Sequence, residues 1–260
     1  MHEPLPTTTI VTAYFQLKIA KASHETYTGW MKNMLAVDNP MVVFCDEASQ
    51  PMIQEMRSGM QEKTVIIPTT FQEFYTYRYS RTFAEHYKMD REQRVGHNMF
   101  LYMIWSEKSH FMKRAIELDP FRTDFFLWVD IGCFRVPNTR YINWPNPYRV
   151  DELEKSKVLL LLVEPFTQQE WDCNTLESLP LFQYSNRIGG TIFGGYKDAI
   201  LQWHDKYYEM LEYFISIGRF IGKDQSIMNS VFLTNRELCQ LVRWTPGCPD
   251  PWFYLQEYLR

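Results

Sequence analysis

Short apolar runs that end on a turn or an acidic residue, separated by stretches with helical spacing, constrain the fold of this chain more than any other feature. Thr8 to Tyr14 is β-branched and apolar, the type and length of a buried strand. Met41 to Cys45 is a second run and ends directly on Asp46. Thr64 to Ile67, closed by Pro68, is a third; Phe125 to Val129 runs straight into Asp130; Lys157 to Val163 is a fifth. Between and after them, residues 24–36, 48–60, 70–90, 97–118 and 196–216 read as helices, with one more beginning near Asp224. Phe100, Ile104, Phe111 and Ala115 recur at steps that share one helical face, as do Ile200, Trp203, Tyr207, Met210 and Phe214. This alternation predicts an α/β fold with a mostly parallel central sheet flanked by helices. The Pro- and Asn-rich stretch 137–148 is too short for an interdomain linker and reads as a long surface loop. A single domain over 1–260 is expected.

Charge and cysteine usage narrow the function classes. A net charge of −4 argues against a nucleic-acid-backbone binder, which would want a basic stripe. No apolar run reaches the roughly 18 residues of a membrane span, and MHEPLPTTTI lacks the pattern of a signal peptide, so the expectation is a cytoplasmic protein without a transmembrane segment. Cys45, Cys133, Cys173, Cys239 and Cys248 are scattered and form no CxxC pair, which suits reduced, mostly buried thiols. Aromatic residues make up 16 % of the chain, enough to supply both a core and stacking surfaces for sugars or bases.

Open α/β sheets bind ligands outside the carboxyl ends of their strands. Tyr14, Asp46 and Asp130 sit at such ends. An apolar strand delivering Asp130 into a turn suits a divalent cation held against a diphosphate, since Mg²⁺ and Mn²⁺ take oxygen ligands and phosphates complete the shell. It equally suits a turn cap, with Gly132 supplying a positive φ. Lys108 lies near the apolar face of its helix, either reaching a diphosphate or laying its stem along apolar surface. Arg78 and Arg81, among tyrosines, could clamp phosphate or uracil or simply face solvent. Gly189, Gly190, Gly194 and Gly195 bracket a short apolar strand and permit close ligand approach or two bulges. Asp224 fits a helix N-cap. Asp46 and Glu164 are further acids at strand ends.

The segments TIVTAYF, MVVFCDE, WSEKSHFMKRAIELDPFRTDFFLWVDIGCFR, IGGTIFGG and GKDQSIMN resemble the HtrL/YibB-like family of glycosyltransferase-like proteins across nearly the whole chain. The resemblance implies a GT-A fold, with a nucleotide-binding half near 1–135 and an acceptor half near 136–260. It implies that Thr12, Ala13 and Tyr14 contact the base, and that Asp130 leads a DxD-type metal motif. It also sets the donor sugar beside Gly189 and Gly190 and points Asp224 at the reacting sugar. Position three of that motif is Gly132, so the second carboxylate is absent. The implied activity moves a sugar from a nucleotide-sugar, of UDP type, to a hydroxyl of a glycan acceptor, assisted by Mn²⁺ or Mg²⁺. Two other readings compete. A nucleotidyltransferase would want a glycine-rich loop after the first strand, and QLKIAKASHE has no glycine. A non-catalytic nucleotide- or sugar-binding relative would fit the missing carboxylate.

Overall fold

The computed structural model describes residues 4–17, 23–137, 141, 143–245, 247 and 250–260. Seven strands form one sheet in the order β3-β2-β1-β4-β6-β5-β7: β1 (Thr8–Tyr14), β2 (Met41–Cys45), β3 (Thr64–Pro68), β4 (Phe125–Val129), β5 (Val158–Leu162), β6 (Ile188–Tyr196) and β7 (Cys239–Arg243). The helices are α1 (His24–Leu35), α2 (Gln50–Met56), α3 (Ser80–Tyr87), α4 (Met99–Leu118), α5 (Pro147–Asp151), α6 (Gln168–Trp171), α7 (Lys197–Ser216), α8 (Asp224–Thr234) and α9 (Tyr254–Tyr258).

The single α/β domain is as expected, but the sheet is mixed rather than mostly parallel. β1, β2, β3 and β4 pair in parallel, as do β5 and β7. β6 runs antiparallel to both β4 and β5. The connection over residues 163–187 holds only the four-residue helix α6, so it has no crossover helix of the kind that returns a chain along a sheet to start a parallel strand. β6 therefore begins at the edge where β5 ends, which is also where β1, β2 and β4 end. That edge gathers the starting glycines of β6 with Tyr14, Asp46 and Asp130.

Both faces of the sheet are covered, so the strands are apolar on both sides rather than alternating. Val11, Phe44, Phe126, Trp128 and Leu160 pack under α4, α7 and α8, whereas Ile10, Val43, Leu127, Val129 and Leu161 pack under α1, α2 and α9. The expected face of α7 is buried throughout, from Ile200 to Phe214. On α4, Phe111 and Ala115 are buried but Phe100, in the first turn, is exposed and rests on Phe71 at 4.9 Å. The predicted helix over 70–90 is instead two 3₁₀ turns, Phe71–Glu73 and Tyr75–Tyr79, followed by α3. Glu107 of α4 takes up the freed donors there: it accepts from the Tyr75 and Thr76 amides at 2.8 and 2.9 Å and from the Thr76 hydroxyl at 2.7 Å.

The stretch 137–148 is not a free surface loop, although residues 138–140 and 142 lie outside the described residues. Tyr141 and Trp144 are buried, and the Trp144 indole donates to the Gln256 carbonyl of α9 at 3.0 Å. Cys45, Cys133 and Cys239 are buried free thiols and Cys173 is half-buried; Cys248 lies outside the described residues. Among the described residues no helix is long and apolar enough to cross a membrane.

Candidate functional site

At the carboxyl edge, where β4 meets the start of β6, the Lys108 side chain is only 5 % exposed and its ammonium is surrounded by oxygen. It stands 3.1 Å from Asp130 Oδ1 and 3.0 Å from Asp224 Oδ2, and it donates to the Gly190 carbonyl at 2.8 Å. Each partner is delivered by a different element. Lys108 comes from the middle of α4, whose buried face lies on β1 and β4. Asp130 follows β4, and its amide donates to the Thr191 carbonyl of β6 at 2.8 Å. Period-two alternation puts Trp128 on the same side as Asp130, and the Trp128 indole donates to Asp130 Oδ1 at 2.8 Å.

Asp224 is fixed from the other side. α8 is buried all round from Ser226 to Leu233, as a helix packed into a core should be. Its Asn229 accepts from the Ile188 amide at 2.9 Å and so pins α8 to the first residue of β6. This sets Asp224 over Gly190, where a Cβ would stand 2.6 Å from Asp224 Oδ2. Glycine is required here for room. Pairing of β6 with β5 also slips between Leu159 and Leu161, a bulge of the kind the glycines foreshadowed. The Gly190 carbonyl that meets Lys108 falls within that irregular stretch.

Asp224 opens α8 but is not its N-cap. Lys223 holds that place, and Asp224 is the first helical residue. Gly132 has no positive φ; its missing side chain leaves space for Tyr27, whose ring carbon lies 3.0 Å from where a Cβ would be. The position at which a second carboxylate would stand is filled by a phenol from α1. Tyr27 in turn stacks on Tyr14 at 5.9 Å.

Burial by itself would pull the Lys108 ammonium down, but Asp130 and Asp224 overcome it and hold the group above its ordinary value. Burial likewise pushes Asp130 up; the Lys108 charge and the Trp128 hydrogen bond oppose this only in part, and Asp224 adds to it. One cation against two carboxylates leaves a net negative cluster. Its Asp130 side chain is 31 % exposed while that of Asp224 is 1 % exposed, so Asp130 is the acid that can meet a ligand. An exposed carboxylate at a net negative centre fits a hard divalent cation that brings most of its oxygen ligands with it. Asp130 is the residue that could hold Mn²⁺ or Mg²⁺.

The chain belongs to the HtrL/YibB family. The family model described as "Bacterial protein of unknown function (HtrL_YibB)" matches residues 6–254. Protein HtrL of Escherichia coli (strain K12) is 25 % identical over 234 residues, covering 79 % of this chain and 76 % of that protein. The span that the family model matches takes in every strand of the sheet and the whole Lys108–Asp130–Asp224 cluster.

Within this family member, the other expected residues are placed as follows. Tyr14 is at the edge, but the Thr12 hydroxyl is buried in the sheet and donates to the Val129 carbonyl at 2.6 Å, so it is spent on structure. Gly189 packs near Val163 and Trp252. Arg78 is exposed, donates to the Tyr75 carbonyl at 3.0 Å and lies over the Tyr75 ring; nothing joins it to the cluster. Arg81 pairs with Glu85 on the surface. Asp46 caps the turn after β2, accepting from the Gln16 and Ser49 amides at 2.7 and 2.8 Å. Glu164 pairs with Arg187 at 3.1 Å.

Tyr27, Trp128 and Trp252 were not singled out from the sequence. Trp128 was legible, being two residues before Asp130 on a strand; Tyr27 and Trp252 come from distant segments and carried no local signal. Among the described residues one His/Asp/Glu group has metal-like spacing, Asp90, Glu92 and His97. Its acids are already engaged: Asp90 accepts from Tyr102 and sits 2.9 Å from His97 Nδ1, and Glu92 pairs with Lys223, while His97 Nε2 is buried without a hydrogen-bond partner. A surface cleft bounded by Ser156, Asp205, Lys206 and Leu238 lies at the opposite edge, before β5 and β7 begin, and contains none of the cluster.

Proposed function

We propose that this protein is a glycosyltransferase of GT-A type that moves a sugar from a nucleotide-sugar, of UDP type, to a hydroxyl of a glycan acceptor. The observation that carries the reading is the Lys108 ammonium holding Asp130 and Asp224 together against the Gly190 carbonyl, at the carboxyl edge of an α/β sheet. Such edges are where α/β folds bind their ligands. Transfer breaks the bond from the anomeric carbon to a phosphate oxygen and forms one to the acceptor oxygen, whose proton passes to the departing diphosphate or to solvent. Positive charge grows on the sugar ring and negative charge on the departing diphosphate. In this reading Asp130 presents its exposed oxygen to a divalent cation, which when bound would neutralise the diphosphate. Lys108 fixes both carboxylates, and Asp224 contributes negative charge toward the sugar from behind Gly190. Preorganised charges of this kind need no rearrangement as the reaction proceeds. Half-buried Tyr27, backed by the buried ring of Tyr14, offers aromatic surface near Asp130 for a base.

Calorimetry with a panel of nucleoside diphosphates, with and without Mn²⁺, is the direct test. Mn²⁺ should tighten binding of one of them, and Asp130→Asn should abolish that enhancement while leaving the melting temperature nearly unchanged, since Asn keeps an acceptor for Trp128. Unaltered binding would reduce Asp130 to a turn residue. The filling of the Gly132 space by Tyr27 favours a second reading, a relative that binds the nucleotide-sugar without turning it over. Release of free diphosphate from the bound donor separates the two.

A further inference from the structure

Arg135 closes the segment that begins at Asp130, and its surroundings set it apart from the other surface arginines. Its guanidinium lies 4.5 Å from the centre of the Trp30 ring and 4.7 Å from that of Phe253. Two aromatic contacts from two distant segments, α1 and the turn Pro251–Phe253, thus fix the orientation of the group. Along its edges the five N–H donors of a guanidinium remain. Among the described residues Arg135 has no hydrogen bond and no ion pair, although it is exposed. Arg149, Arg187 and Arg260 each pair with a glutamate, and Arg91, also without a polar partner among the described residues, lies over one ring only, at 5.4 Å.

Where it stands matters as much. Trp30 follows Tyr27 by one turn of α1 and touches its ring at 5.9 Å, and Tyr27 fills the space beside Gly132. Trp252, next to Phe253, lies 3.6 Å from the Cβ that Gly189 lacks, and the Thr191 hydroxyl donates to its carbonyl at 2.7 Å. The rings that hold Arg135 are therefore the immediate neighbours of Tyr27 and Trp252, the two aromatic residues packed against the glycines of the candidate site. Stacking accounts for the planar faces of the guanidinium and leaves its donor edges without a protein acceptor.

We propose that Arg135 is an anion clamp at the rim of the site, its ring-held guanidinium taking an oxyanion of the ligand in a two-pronged hydrogen-bonded contact. Planar oxyanions and phosphates match the fork of arginine in a way that an ammonium does not. The choice of a phosphate of the donor as that anion rests on the glycosyltransferase reading. The carboxylate of an acidic acceptor sugar is the other source of the same chemistry.

The test is titration of inorganic pyrophosphate, glucuronate, UDP and uridine into wild type, Arg135→Lys and Arg135→Gln, with and without Mn²⁺. Because Arg135 is exposed, both variants should melt close to wild type. Pyrophosphate should bind wild type at least tenfold more tightly than Arg135→Gln, with Arg135→Lys between them, and uridine should not distinguish the three. The same graded loss for glucuronate instead of pyrophosphate would keep the clamp and assign it to an acidic acceptor. Equal affinities of all three proteins for both anions, or no binding of either anion to wild type, would overturn the clamp. UDP that binds no better than pyrophosphate, with the Arg135 dependence intact, would sink the nucleotide reading and leave the clamp standing.

Discussion

Two buried cations in this protein are handled in opposite ways. Arg57 is 1 % exposed and gives its donors to neutral acceptors: the Leu35 and Val37 carbonyls at 2.9 and 2.7 Å, the Asn39 and Lys63 carbonyls at 3.0 and 3.4 Å, and the Thr64 hydroxyl at 2.8 Å. It ties the end of α1, the approach to β2 and the start of β3 into one joint, far from the carboxyl edge. Lys108 has two carboxylates for partners, one of them open to solvent. A cation closed by carbonyls has nothing left to offer a ligand. A cation shared between two acids leaves a net charge and an exposed oxygen, and that is the difference between a structural joint and a site.

The comparison is broken most directly at Arg57. Arg57→Met strands four carbonyls in a buried joint and should lower unfolding free energy by about 4 kcal/mol, at roughly 1 kcal/mol or more per lost acceptor partner. Urea titration measures it, and a cost below about 1 kcal/mol would mean that water replaces the guanidinium and that the joint is not closed. Nucleotide affinity of the folded variant should not change.

On the other side, Asp224→Asn keeps an acceptor for Lys108 and removes one charge. Turnover of donor to free diphosphate should fall by about a hundredfold, roughly 3 kcal/mol of transition-state stabilisation. Donor affinity should change much less, because the charge matters mainly once the diphosphate begins to leave. Wild-type turnover would reduce Asp224 to a buried counterion like any other.

Gly190→Ala sharpens the contrast by moving the acid without deleting it. Its Cβ would meet Asp224 Oδ2 at 2.6 Å, so one of the two must shift. An overpacked core position typically costs about 1–3 kcal/mol, and the donor-release assay should suffer together with the melt. A variant as stable and as active as wild type would show that α8 is not held rigidly over β6.

The smallest effect is expected one residue from Lys108. Burial pushes Glu107 up to about 7 despite three hydrogen bonds to its carboxylate. With its ordinary value of 4.5, the folded protein holds a proton that the unfolded chain has lost between about pH 4.5 and 7. This group therefore adds stability at the acid end of that window and loses it as pH rises through 7. Glu107→Gln should flatten that slope in melts across the window; an unchanged slope would assign it to other groups.

Much of the fold was legible because local rules were enough for it. Apolar runs bounded by Pro or Asp marked β1 to β5, and the face of α7 followed from its periodicity alone. The reversed β6 was not legible as reversed, since strand direction depends on how far the preceding connection travels. Nor was the 3₁₀ path through 71–79, which Glu107 stabilises from a helix some thirty residues away in sequence.

The site divides in the same manner. The sequence by itself determined which groups stand at strand and helix ends: Asp130 after β4, the glycines opening β6, Asp224 opening α8, and Lys108 close to an apolar helix face. These follow from spacing, turn chemistry and the reach of each side chain. Only the tertiary structure decided that Lys108 joins the two acids, that Arg78 stays outside, that Tyr27 takes the room at Gly132, and that Arg135 is held between two rings. Those contacts join segments far apart in the chain. They are set by how helices seat on the sheet, a balance of packing over both faces that no local stretch of sequence encodes.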